Sequence, residues 1–405
     1  MSDRYVRPNE VIYATLYQSA LQQEVSGFQA FLAFDSSVMS ITPGDIALTR
    51  SPYGLHLLRT VSGASIELAA GINAFVGQRP TKQDAALAVL QFAAGVTEGI
   101  TYVAFAQHDP PTRFTDEMGE EILPVMVGSP PIVIDGTPPA IDCPPDRYVN
   151  APPGQWSTVV DAGAATATDW LSGVAEVSGI RSDGLPLADP YPVGGTTITW
   201  SAVDRSGNAA GCEQLVVVAP AGFHGAIVRS VAEAKKRPDG TQVTLLGPVV
   251  TRVFGPFFYI EDADRTAGIR ANRVSGAEPT EASKPVVFGT VAAIAGERVV
   301  DEATVGQWSA GAVPGELSMN GAAAQEVLPQ GLLARLWGRA EVQPGATDTF
   351  ILWDGAEGGG ACVRLYGAAL PADGVYLTAT GTLGADVGGV VLLVNRPGDL
   401  VQVVQ

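Results

Sequence analysis

Three cysteines, three histidines and 42 carboxylates are the groups in this 405-residue chain with chemistry to offer. Cys143, Cys212 and Cys362 are widely spaced and form no CxxC pair, which argues against a zinc site and against thioredoxin-like redox chemistry. His56, His108 and His224 each stand alone, with no HExxH motif and no acidic partner at ligand spacing. A zinc centre or a histidine-based nucleophile therefore has little to work with, and satisfied single histidines are expected. Paired carboxylates can cleave glycosides, but the pairing belongs to folded geometry and not to spacing in sequence. The densest acidic cluster, 116–121, reads as a solvated loop, and Gly358-Gly359-Gly360 lacks the lysine of a phosphate loop and reads as a hairpin turn. Asp169, Asp204 and Asn208 fall in the turns 168–173 and 204–208. Oxygen-rich turns of this kind can bind calcium, yet aspartate and asparagine also satisfy turn backbone unaided, so no cofactor is expected. No catalytic constellation emerges, and the chain is expected not to be an enzyme.

The elements that would position these groups are strands. Hydrophobic residues make up 46% and charged residues 16%, which excludes extended disorder, while 47 glycines and 29 prolines are too many breakers for a helical bundle. Twenty-four basic against 42 acidic side chains give a net charge of −18, so attraction to nucleic-acid phosphates or anionic lipid is disfavoured, and divalent cations or neutral glycans are better ligands. No apolar run reaches the roughly 18 residues of a membrane span. The basic residues near Met1 are not followed by an apolar stretch, so no signal peptide is expected within this numbering.

Proline-rich breaks at 128–139 and 219–222 and an internal duplication divide the chain into 1–134, 135–220, 221–320 and 321–405. Residues 10–17 and 27–34 alternate apolar and polar as half-buried strands do. The alanines of 84–94 favour a helix by propensity alone. In the last 180 residues, Val243-Thr-Leu-Leu-Gly247, Phe257-Phe-Tyr-Ile-Glu-Asp262 and Gly268-Ile-Arg270 return as Leu333-Ala-Arg-Leu-Trp-Gly338, Thr349-Phe-Ile-Leu-Trp-Asp354 and Cys362-Val-Arg364. The glycines 247 and 338 lie 91 residues apart and the aspartates 262 and 354 lie 92 apart, as two copies of one small five-stranded barrel would place them. A short helix is expected over 230–236, and Cys362 is expected to be a buried free thiol. Arg252, Phe254, Phe257, Tyr259 and Arg270 have the residue types of a single-strand-binding face, but core and surface packing is the expected role.

Residues 25–41 (VSGFQAFLAFDSSVMSI), with LAVLQFAAGVTEGITYVAF and EILPVMV after them, resemble the cohesin-like β-sandwich family over about 5–128. This resemblance turns 86–94 into a strand and leaves a shortened first strand, an edge open to pairing with another chain. PPAIDCPPDRYV, ATDWLSG, YPVGGTTITWSAVD and DRSGNAAGCEQLVVV resemble the hyalin repeat, an immunoglobulin-like sandwich of extracellular adhesion proteins. That resemblance implies a disulfide between Cys143 and Cys212 and an oxidising compartment. The duplicated segment is similar to OB-fold-like modules of exported bacterial proteins. Together these imply an all-β, multidomain, non-enzymatic protein of the bacterial surface or matrix, located outside the cell. The expected partners are further copies of itself in a fibre, through the N-terminal edge or the terminal run 390–403, or other surface proteins and glycans. A carbohydrate- or dockerin-binding accessory role is the alternative.

Overall fold

The computed structural model describes residues 4–326, 330–355, 360–386 and 388–403, so the triglycine turn read at 358–360 lies largely outside the described residues. The protein is all-β, with two helices of five and four residues among the described residues, neither long and apolar enough to cross a membrane. The chain divides into two compact units. One holds the described residues up to Cys143 together with Ala165–Ser178 and Trp200–Cys212. The other holds Pro144–Ala164, Gly179–Thr199 and the chain from Glu213 onward.

In the first unit a sheet built on Gly27–Phe34, flanked by Ser65–Gly71 and Arg113–Thr115, faces a sheet in which Ala85–Ala94 pairs antiparallel with Val11–Gln18. Ile12, Leu90 and Phe92 from the second sheet meet Phe28, Leu32, Phe34 and Leu68 from the first in one core, with Phe34 edge-on to Phe92 at 5.3 Å. The alanine-rich segment is a strand because Leu90, Phe92 and Ala94 alternate inward with partners on both sides, and tertiary burial overrides helix propensity. The proline-rich stretch at 128–139 is not only a linker. Its Ile132–Ile134 is buried and pairs parallel with Arg4–Val6 and antiparallel with Gly99–Thr101. Of the segment EILPVMV only Glu121–Ile122 pairs, and Leu123, Val125, Met126 and Val127 remain exposed.

The second unit contains two closed barrels of identical strand order. In the first, Gln242–Leu245 and Val249–Val253 together form the opening strand, followed by Phe257–Glu261, Gly268–Gly276, Ser283–Ile294 and Glu297–Ala310. The third and fifth strands run parallel, and the fourth returns to the first to close the ring. Leu333–Glu341, Thr349–Trp353, Gly360–Leu365, Tyr376–Asp386 and Gly389–Val394 repeat this order, again with third and fifth strands parallel. The duplicated aspartates explain their own recurrence. Asp262 accepts the N–H groups of Val231 and Ala232, and Asp354 that of Gly321, so each copy uses its aspartate to receive the N-terminus of a short helix, Val231–Lys235 or Gly321–Ala324.

The hyalin-like stretch contributes to this second unit a buried arginine that the sequence did not single out. Arg181 is 2% exposed, lies over the Tyr191 ring at 3.8 Å, and donates to Asp183 and to the carbonyls of Pro186, Asp189 and Pro190. One guanidinium thereby ties down the loop 182–190.

Candidate functional site

The groups that the fold brings together lie in the first unit, where three loops converge. Asp135 follows strand Ile132–Ile134, Asp169 follows Thr166–Thr168, and Asp204 ends Gly194–Asp204. One carboxylate oxygen from each falls within 4.8 Å of the others. Asp135 is fully buried and Asp204 is 2% exposed. Their partners are backbone, amide and hydroxyl donors, Ser172 Oγ donating to Asp169 Oδ1 at 3.3 Å. Asp169 Oδ1 accepts from Leu171 N and Gly173 N, Asp135 accepts from Thr137 N and Ser172 N, and Asp204 accepts from the backbone and side-chain nitrogens of Asn208. The Asn208 amide also donates to the Asp135 carbonyl, so it joins the first loop to the third. Arg205 is turned toward Tyr5, and Arg7 lies against Gly207; neither forms an ion pair with the three carboxylates among the described residues.

Turn satisfaction, the role expected for Asp169, Asp204 and Asn208, accounts for many of these bonds. The convergence with Asp135 goes beyond it, because carboxylates from three separate loops share one space and none of them is in an ion pair among the described residues. Such a donor set, all oxygen, suits a hard divalent ion such as calcium. A calcium site of roughly 10⁻⁴ M affinity, the tight end for extracellular modules, would stabilise the fold by about 2.7 kcal/mol at about 10 mM calcium. A thermal melt should therefore rise with calcium in the native chain and not in Asp135→Asn/Asp204→Asn. An equal rise in both would remove the cluster as the cause. Asp135 was missed because it sits among prolines; the apolar triplet Ile132-Val-Ile134 before it was the available sign of a strand end.

Close by in the same unit, Cys143 and Cys212 form a disulfide with a Cα–Cα separation of 6.1 Å. Ala140–Asp142, just before Cys143, pairs antiparallel with Thr166–Thr168, which leads into the Asp169 turn, so the crosslink and the carboxylates share a scaffold. Trp170, next to Asp169, is fully exposed.

A second feature of this unit is an open edge. Val11–Gln18 pairs on one side only, and Tyr13 and Tyr17 are more than half exposed on it. Beside it runs a groove of about 760 Å³, floored by Leu16, Leu32, Leu90 and Phe105 and bordered by Val127 of the unpaired apolar segment. His108 stacks on Phe31 at 3.7 Å, and Asp116 caps its own turn through Met118 N and Glu120 N. Phe254, Phe257 and Tyr259 are buried against Val391 and Leu393 of the second barrel, and Arg252 is held by Asp399 and Glu281, so these side chains pack, as expected, and present no single-strand-binding face. Cys362 is free but half-buried, and burial pushes its thiol above the ordinary range. The terminal run divides: Gly389–Val394 is paired on both sides within its barrel, whereas Leu400–Gln402 is an edge strand.

Residues 134–218 match the family model described as HYR domain. The sea urchin Strongylocentrotus purpuratus protein hyalin is 33% identical over 120 residues, which is 29% of this chain and 9% of hyalin. The chain thus spans under a tenth of that relative. Among solved structures, the sixth cohesin of scaffoldin B from Acetivibrio cellulolyticus, in complex with a dockerin, is 10% identical with a TM-score of 0.28, covering 33% of this chain and 95% of that one. The seventh ScaB type I cohesin from Pseudobacteroides cellulosolvens is 7% identical with a TM-score of 0.27, covering 34% and 90%.

Proposed function

We propose that this is a non-enzymatic extracellular adhesion protein of a bacterial surface, assembled into fibres by strand addition. In this reading the chain is a series of four modules, 1–134, 135–220, 221–320 and 321–405, the last two OB-like by their strand order, and the extracellular setting is supported by the HYR match and the Cys143–Cys212 bond. The observation that carries the function is the edge Val11–Gln18, which pairs with a strand on one side only among the described residues, beside a groove floored by apolar side chains. Backbone N–H and C=O groups on such an edge bind an extended segment of another chain, and pockets beneath alternate side chains select it. Lysines on an edge block pairing without entering the core. Tyr13→Lys/Tyr17→Lys should therefore reduce assembly, followed by light scattering and electron microscopy, by at least about tenfold, equivalent to 1.4 kcal/mol per contact, while thermal stability is little changed. Fibres formed equally well by the variant would exclude this edge.

A carbohydrate-binding accessory role is favoured by a different observation. On the outer face of the second barrel, Arg339 lies directly across from both Trp353 and Tyr376, with Trp337 two residues along the same strand. All three rings are exposed, and the Trp353 indole is fixed by its N–H bond to Glu341 at 2.7 Å. Rigid aromatic faces with a polar rim suit a neutral glycan. A glycan array of native chain against Trp353→Ala separates this reading from the first.

A further inference from the structure

The two barrels of the second unit meet at a joint that holds two carboxylic acids away from water. Glu261, the last residue of strand Phe257–Glu261, is fully buried; its Oε1 accepts the backbone N–H of Leu333, where the second barrel begins, and its Oε2 has no hydrogen-bond partner. Glu297 is 2% exposed and accepts the Tyr259 hydroxyl proton at 3.2 Å through Oε2, while its Oε1 has no partner. The backbones approach closely around them. A Cβ on Gly268 would lie 2.1 Å from the Gly331 carbonyl oxygen, and one on Gly384 would lie 2.4 Å from the Tyr259 hydroxyl.

Charged neighbours only partly offset this burial. Arg265, Arg252 and Asp262 face Glu261, but Arg265 donates to the Leu333 carbonyl and Arg252 is engaged by Asp399 and Glu281. Glu297 faces Arg270 at 3.9 Å, the Ala385 backbone and Lys235, whose ammonium donates to the Gln330 carbonyl at 2.9 Å.

We propose that the joint between the barrels is a proton-operated latch, tightest while Glu261 carries its proton and loosened when its carboxylate is charged. Burial is the dominant cause: it raises the Glu261 carboxyl from 4.5 to about 7, against the opposing pull of the Leu333 N–H and the two arginines. Burial also raises Glu297, so the second acid acts in the same direction. A carboxyl raised in the closed state and ordinary in the open state makes the closed state bind protons more tightly. Its contribution is complete below about pH 4.5, declines as pH rises toward 7, and is level above that. Two and a half pH units, at tenfold each, bound the change in the opening equilibrium at roughly 300-fold.

Amide hydrogen exchange at Leu333 of the full chain, corrected for the intrinsic pH dependence of exchange, tests this. In the native protein the opening equilibrium should climb between pH 4.5 and 7 by up to roughly 300-fold and then level off. Glu261→Gln, which cannot ionise, should lose the step ending near pH 7 and keep only what Glu297 contributes, whereas Glu297→Gln should retain that step. A flat native profile, a climb complete below pH 5, or an undiminished climb in Glu261→Gln would each overturn the latch. If Glu261→Gln fails to fold, the position of the native step decides alone.

Discussion

Cys143→Ser/Cys212→Ser should lose about 4 kcal/mol of unfolding free energy in the hyalin-like stretch. The two cysteines are separated by 69 positions, so the crosslink closes a loop that an unfolded chain would otherwise explore freely. In the chain-entropy account the cost of that freedom grows with the logarithm of loop length, which puts a loop of this size between the short and very long cases. The 6.1 Å Cα–Cα separation is within the ordinary disulfide range, so the native backbone gives up little to accommodate it. Urea titration followed by Trp200 fluorescence is the measurement, with reductant on the native chain as a second route to the same state. Cys362 is free in both cases and serves as an internal control. A loss below about 1 kcal/mol by both routes would show that the stretch is held by its core and not by the crosslink.

Arg181→Met should cost about 1.5–3 kcal/mol, the range for hydrogen bonds made by a charged group. The guanidinium is nearly inaccessible and engages Asp183, three carbonyl oxygens and the Tyr191 ring at once. Methionine fills much of the volume but makes none of these bonds; Asp183 and the carbonyls lie on an exposed or half-buried loop where water can take the place of the donor, so the loss is that of the bonds and of the ordered loop. Arg181→Lys should recover less than half of the loss, because a single ammonium cannot span the planar fork that reaches several acceptors. Thermal melts of the three proteins report the order. Lysine performing as well as arginine would reduce the site to a simple charge pair.

The hyalin-like stretch was legible because its landmarks are local: turn aspartates and glycines at short fixed offsets, and a cysteine beside a proline pair. The duplication was legible for the same reason, and the helix-receiving role of Asp262 and Asp354 explains why the repeat preserved that position. Arg181 left no mark in the sequence, since its acceptors are main-chain carbonyls that any residue supplies. The aromatic run around Phe257 and Tyr259 was legible as packed, but not what it packs against, because its covering residues, Val391 and Leu393, lie more than 130 positions away.

Strand character, turn positions and the internal repeat follow from residue type and near-neighbour spacing, and those the chain's order determines by itself. Which carboxylates share a space is different. Asp135, Asp169 and Asp204 belong to three loops that only the paired strands bring within 4.8 Å. Glu261 is likewise an ordinary glutamate until a second barrel closes over it, and its proton affinity then depends on how much water that closure excludes. Long-range packing sets dielectric environment and proximity, and neither is written in any short window of sequence.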